Sequence, residues 1–116
     1  MRDELREPEP HELRLLRLLL LSCPGLAFVP TPLELDGVRT VDSGGSIAIE
    51  NLQLSVSSAR TVPVEAEALD ADGVPIHALL HLNGLGNPVE LEIYKDDSSP
   101  LSTPSADVNW NLCAEV

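Results

Sequence analysis

The chain has 116 residues, 43% of them hydrophobic, yet Phe28, Tyr94 and Trp110 are its only aromatics. It is long enough for one self-sufficient core, which must then be built from Leu, Val, Ile and Ala. Seven basic residues against nineteen acidic ones give a net charge of −12, a surface that repels nucleic acid and anionic membranes and attracts basic proteins.

The charge is unevenly spread. Residues 1–17 hold four Arg beside five acids; from residue 18 onward three basic residues stand against fourteen acidic ones, a net −11. Residues 1–9 read as a flexible start to a single domain spanning 1–116. Pro10 then precedes a helical pattern over His11–Ser22, stopped by Pro24-Gly25. At the helical period Glu12, Leu13, Leu16, Leu19, Leu20 and Cys23 share one side, with Arg14 and Arg17 opposite. Leu18 and Leu21 fall on the Arg side, so the helix is apolar almost all round and needs either a sandwiching core or a partner.

Leu13–Leu21 holds seven Leu and two Arg and runs into Ser22-Cys23, a superficial likeness to a lipoprotein cleavage site. Asp3, Glu4, Glu7, Glu9 and Glu12 make the preceding stretch acidic where a signal peptide is positive. Arg17 also breaks an apolar run that is too short to span a bilayer. The expected location is therefore cytoplasmic, with Cys23 and Cys113 as free thiols, although one disulfide between them stays open.

Residues 26–45 are punctuated by Pro30, Pro32, Gly37, Gly44 and Gly45 and read as irregular, with short extended pieces. Ser46–Val56 reads as extended, but its apolar positions change parity, from Ile47 and Ile49 to Leu52, Leu54 and Val56. A bulge or bend near Glu50-Asn51 reconciles the halves.

The clearest pattern lies in Val62–Lys95, which predicts strands at 62–69, 74–82 and 89–95. Val62, Val64, Ala66 and Ala68 point one way; Val74, Ile76, Ala78, Leu80 and Leu82 do the same on the next strand. Both inward sets are even-numbered, so the hairpin between them needs an odd loop, met by Ala71-Asp72-Gly73 with Gly73 left-handed. The next inward set, Val89, Leu91 and Ile93, is odd-numbered and needs an even loop, such as Gly84–Asn87. These registers place Glu67 opposite His77, Glu65 opposite Leu79, Tyr94 opposite His77, Glu92 opposite Leu79 and Glu90 opposite His81. Between Glu67 and Tyr94, His77 should favour its protonated form. Ser98–Ser105 reads as loop, and Val108, Trp110 and Leu112 alternate as a last extended segment with its apolar side packed. The whole predicts an α+β fold, an N-terminal helix packed on an antiparallel β-meander.

Catalytic and metal motifs fail on inspection. His77 and His81 have HxxxH spacing, but on a strand they stand roughly 13 Å apart and cannot share an ion, and Ala78 occupies the place of a zinc-protease Glu. Asp70-Ala71-Asp72-Gly73 resembles the start of a calcium loop, but Val74-Pro75-Ile76 continues as strand and no Glu closes it. Asp42–Ser46 is glycine-rich without a P-loop Lys. The many carboxylates lack the unlike environments that acid–base catalysis requires. The sequence predicts no enzyme, no catalytic or metal residue and no cofactor.

Taken together, Glu12–Leu16, Gly44–Ile47, Asp70–Val74 and Glu90–Lys95, followed by Asp97 and Pro100-Leu101, resemble a family of small uncharacterised acidic bacterial proteins. That family tends to carry Trp where this chain has Tyr94, and an aromatic where it has Ser98. The resemblance implies an α+β fold without known enzyme activity, similar in build to immunity proteins that neutralise toxins. On that basis the expected function is an immunity-type inhibitor occluding the active site of a basic toxin domain. The alternative is a small structural or regulatory module, homodimeric through Leu18 and Leu21. The candidate partner-binding residues are Glu65, Glu67, His77, His81, Glu90, Glu92, Tyr94, Asp96 and Asp97. The expected partner is a basic protein, with neither nucleic acid nor membrane, and the chain itself a monomer or homodimer.

Overall fold

The computed structural model describes residues 4–20, 35–42, 44–51, 64–82, 87–104 and 107–112. Helix α1 (Pro10–Leu20) is followed by strands β1 (Gly37–Thr40), β2 (Ile47–Glu50), β3 (Val64–Leu69), β4 (Pro75–Leu82), β5 (Pro88–Lys95) and β6 (Asn111–Leu112). The strands form one sheet in the order β1-β2-β5-β4-β3-β6, with every neighbouring pair antiparallel. The chain thus adopts the α+β fold expected, one N-terminal helix packed on an antiparallel sheet.

The helix begins where local chemistry starts it. Pro10 occupies the first helical position, where its missing N–H costs nothing. The Glu9 N–H donates to Glu12 Oε1 at 2.8 Å, the reach-back half of a capping box. Arg6 clamps the same carboxylate with two bonds of 2.8 Å, to Oε1 and Oε2. Burial raises the pKa of Glu12, but Arg6 and the Glu9 N–H outweigh it and hold the group below its ordinary value. Arg6 also exchanges two backbone bonds with Val38, at 2.8 and 2.9 Å. The stretch read as loose is therefore anchored at Arg6, onto the edge strand β1.

Helix residues Glu12, Leu15, Leu16, Leu19 and Leu20 are buried, an i, i+3, i+4, i+7, i+8 stripe. Leu13, expected in that stripe, lies at its edge, half-buried, and Leu15 takes the central place. The four buried leucines pack on Val38, Ile47, Ile49, Val64, Ala66, Ala78, Leu80, Leu91 and Ile93. Burying one such leucine contributes about 1.5–3 kcal/mol. Leu18 and Trp110 are half-buried against the same core, so the Arg side of the helix is partly covered within the chain. Leu21 and the two cysteines lie outside the described residues.

In the meander, Glu67 faces His77, Glu65 faces Leu79, Tyr94 faces His77, Glu92 faces Leu79 and Glu90 faces His81, as the parity argument requires. Gly73 has φ of 82°, the left-handed conformation needed to close the three-residue turn. Beyond His81 the register shifts, and Leu82 pairs with Pro88 rather than Val89. The proposed Gly84–Asn87 turn falls mostly outside the described residues.

Three sequence expectations change. Strand β1 lies in the stretch read as irregular; with four residues and Val38 as its buried apolar anchor, its alternation is too short to read. Strand β2 stops at Glu50, and Asn51 has φ of 55°; the bend falls where the parity changes, and the second half, 52–56, lies outside the described residues. The last strand is only Asn111–Leu112, paired to β3 through Ala66–Leu112 and Glu67–Asn111. Leu112 is exposed instead of packed, at the end of a two-residue strand that forms the outer edge of the sheet, with no strand beyond it.

Candidate functional site

The helix-facing side of the meander takes Val64, Ala66, Ile76, Ala78, Leu80, Leu91 and Ile93 into burial. The intervening positions necessarily project from the opposite face. That face carries Glu65 and Glu67 from β3, His77, Leu79 and His81 from β4, and Glu90, Glu92 and Tyr94 from β5. Eight of the nine predicted contact residues gather there, because Asp96, just past β5, folds back onto His77. Asp97 turns away and accepts from the Ser99 N–H and Oγ at 3.0 and 2.6 Å.

The histidines use diagonal neighbours rather than the residues opposite them. His77 Nδ1 lies 2.8 Å from Glu65 Oε2 although Glu67 is its facing residue. His81 Nε2 lies 2.9 Å from Glu92 Oε1 although Glu90 faces it. The two bonds lean towards Leu79 between them, a reach that long side chains make readily in a twisted sheet. His77 and His81 therefore serve separate carboxylates.

His77 is the ordered centre of the face. Its side chain is only 14% exposed, its Nε2 lies 2.5 Å from Asp96 Oδ1, and its ring stacks on Tyr94 with centroids 4.9 Å apart and planes at 19°. Burial disfavours the cation, but Glu65 and Asp96 outweigh it and raise the pKa above the ordinary histidine value. The direction agrees with the sequence expectation; the carboxylates responsible are Glu65 and Asp96, not Glu67.

At the far end of the helix-facing side lies a cluster that sequence reading missed. Lys95 follows Leu91 and Ile93 at the inward parity, and Asp70 follows Ala66 and Ala68. Val89, expected in the same inward set, is exposed because the register shift turns Pro88 inward in its place. Lys95 Nζ pairs with Asp70 Oδ2 at 3.0 Å and Asp72 Oδ2 at 2.6 Å. Asp70 also accepts from the N–H groups of Ala71, Ser102 and Thr103 at 2.7–2.8 Å. The Asp-x-Asp-Gly turn and the strand-ending Lys are thus one clamp, which fastens the 98–104 segment to the hairpin. The signal was there in the parity of the alternation, which puts two opposite charges on the buried side at the ends of β3 and β5, the strands flanking β4.

A cleft of about 560 Å³ lies beside this clamp, lined by Asp42, Tyr94, Ser99, Leu101 and Thr103 among others. It carries none of the paired acid–base or nucleophile–base geometry that catalysis needs among its described residues. No helix among the described residues is long and apolar enough to cross a membrane.

The profile of the Domain of unknown function (DUF6984) family matches residues 5–104, and the chain belongs to that family. No curated protein and no solved structure matches the chain.

Proposed function

We propose that this member of the DUF6984 family is a protein-binding module, and specifically an immunity-type inhibitor whose acidic sheet face docks on a basic toxin domain and occludes its active site. The observation that carries the reading is the convergence of Glu65, Glu67, Glu90, Glu92 and Asp96 on one side of a three-strand meander, where those strands set only His77 and His81 as countercharges and turn Lys95 to the buried side. Carboxylates fixed on paired strands keep their spacing, so a complementary set of Lys and Arg meets them without reordering. Long-range attraction by such a face raises the association rate, and suppresses acidic competitors.

The test has two arms. The intact chain is used as bait in extracts of the cells that make it, and the captured protein is identified by mass spectrometry. It should be basic, and its enzymatic or toxic activity should fall in proportion to added chain. A variant with Glu65, Glu67, Glu90 and Glu92 all changed to Gln should fail to capture it. Capture of a partner whose activity is untouched would replace inhibition with a structural or regulatory role. A concentration-dependent mass with no partner would favour the homodimeric module.

A further inference from the structure

One group on the acidic face has a chemistry that basic-protein docking does not use. Glu65, Glu67 and His77 each offer a ligand atom, and the three atoms lie within 4.8 Å of one another. A tetrahedral site with bond lengths of about 2.0–2.2 Å has donors roughly 3.3–3.6 Å apart. Glu65 Oε2 stands 2.8 Å from His77 Nδ1, nearer than two donors on one ion, so this pair opens slightly while the rest of the set draws in from within 4.8 Å. The backbone supplies the rest: Glu67 and His77 are directly opposite, and Glu65 is the next residue on the same face.

The imidazole is oriented as a ligand from behind. Asp96 Oδ1 holds Nε2 at 2.5 Å, which places a proton on that nitrogen and turns Nδ1 towards the two glutamates. A carboxylate on the far nitrogen is the usual outer partner of a metal-bound histidine. Tyr94 stacks on the ring and restricts its rotation. Glu65 Oε2 faces Nδ1 at 2.8 Å just as Asp96 Oδ1 faces Nε2, so in the metal-free chain Nδ1 carries a proton. An ion bound there displaces that proton to solvent and sets a larger positive charge among the three carboxylates.

We propose that Glu65, Glu67 and His77 form a binding site for a divalent first-row transition ion of the zinc class, with Asp96 as the outer carboxylate that positions the imidazole. One imidazole nitrogen and two carboxylate oxygens suit Zn²⁺ and its neighbours; magnesium and calcium prefer sites made wholly of oxygen. Water completes the coordination from the solvent side. His81, bonded to Glu92, stays outside the site.

The experiment uses the intact chain and Zn²⁺ alone, after chelator treatment. Heteronuclear NMR of the histidine rings should show a ligation shift at His77 Nδ1 and none at His11 or His81. Calorimetry should give an affinity that falls at least roughly tenfold in Glu67→Gln, an exposed position, and about 10–100-fold in Asp96→Asn, which touches no metal itself. His77→Gln should abolish the NMR-detected site. If that variant fails to fold, Glu67→Gln and the wild-type ring spectra still decide. Zn²⁺ that leaves His77 Nδ1 unshifted, or binds Glu67→Gln as tightly as wild type, overturns the site.

Discussion

Lys95 and Asp70 form a buried ion pair beside the β3–β4 turn: their side chains are 1% and 0% exposed and their charged atoms are 3.0 Å apart. The pair joins three stretches of chain, since Asp70 also receives the amides of Ser102 and Thr103. Removing one partner of such a pair leaves the other buried without compensation. Asp70→Asn should therefore release the 98–104 segment first. In native-state hydrogen exchange, the Ser102 and Thr103 amides should exchange at least roughly tenfold faster relative to those of β4. Uniform acceleration of all amides would mean that the clamp supports the whole sheet and not the segment.

The same residue sets an acid limb. Burial raises the pKa of Asp70, but the Ser102 amide, Lys95, Thr103 and the Ala71 amide outweigh it and hold the carboxyl far below the ordinary range. A depressed folded-state pKa confers stability that is full above the unfolded value and is lost as pH falls through the folded one. Wild type should therefore lose urea resistance between about pH 5 and about pH 3, and Asp70→Asn should lose less over that interval. Equal slopes in the two proteins would move the acid sensitivity to another group, such as Glu12 with its Arg6 partner.

Ser46 stands in for a missing rung between β2 and β5. Its Oγ accepts from the Ile93 N–H at 2.8 Å and donates to the Ile93 carbonyl at 3.2 Å, both buried. Ser46→Ala strands that N–H and should cost about 1–3 kcal/mol. Denaturant unfolding should show a lower midpoint with an unchanged slope. A loss below a few tenths would show that another group takes over the rung.

His77 should titrate above a free histidine in chelator-treated protein, because Glu65 and Asp96 outweigh its burial. The sign follows: stability from this group is full below the unfolded value of about 6.5 and fades as pH rises through the folded one. Glu65→Gln should lower the ring's pKa, and Glu67→Gln should change it less. NMR titration in which Glu67 is the stronger influence would restore the facing-residue pairing in solution.

How far the sequence leads differs between the parts. Strict alternation over Val64–Ala68, Ile76–Leu82 and Leu91–Ile93, combined with loop parity, fixes both hairpin registers, because a slip of one residue would turn each apolar set outward. The same alternation places the acidic face correctly. It does not say which carboxylate each histidine takes, since facing and diagonal neighbours are both within reach and the twist of the sheet chooses. Strand β1 and the Arg6 bridge escape because a four-residue edge strand has no periodicity to read. The clamp escapes for a different reason: Asp70 and Asp72 suit a turn by local chemistry alone, and only three-dimensional pairing gives Lys95 a reason to be buried.

The final prediction concerns the docking face. Replacing Glu65, Glu67, Glu90 and Glu92 by Gln removes four charges while keeping shape, and two of these side chains, Glu65 and Glu92, each make one ion pair with a histidine. Folding stability should stay within about 1 kcal/mol of wild type, since partly exposed pairs of this kind contribute little. Association with the basic partner should slow, and its dependence on salt should flatten, because long-range attraction acts mainly on the encounter rate. Stopped-flow kinetics at two ionic strengths, in chelator so that no metal contributes, reads both quantities. If the on-rate and its salt slope are unaltered in the quadruple variant, the carboxylates serve solubility alone. The contact surface then moves to the other charged or cleft-lining regions, first the groove between Asp42 and Thr103.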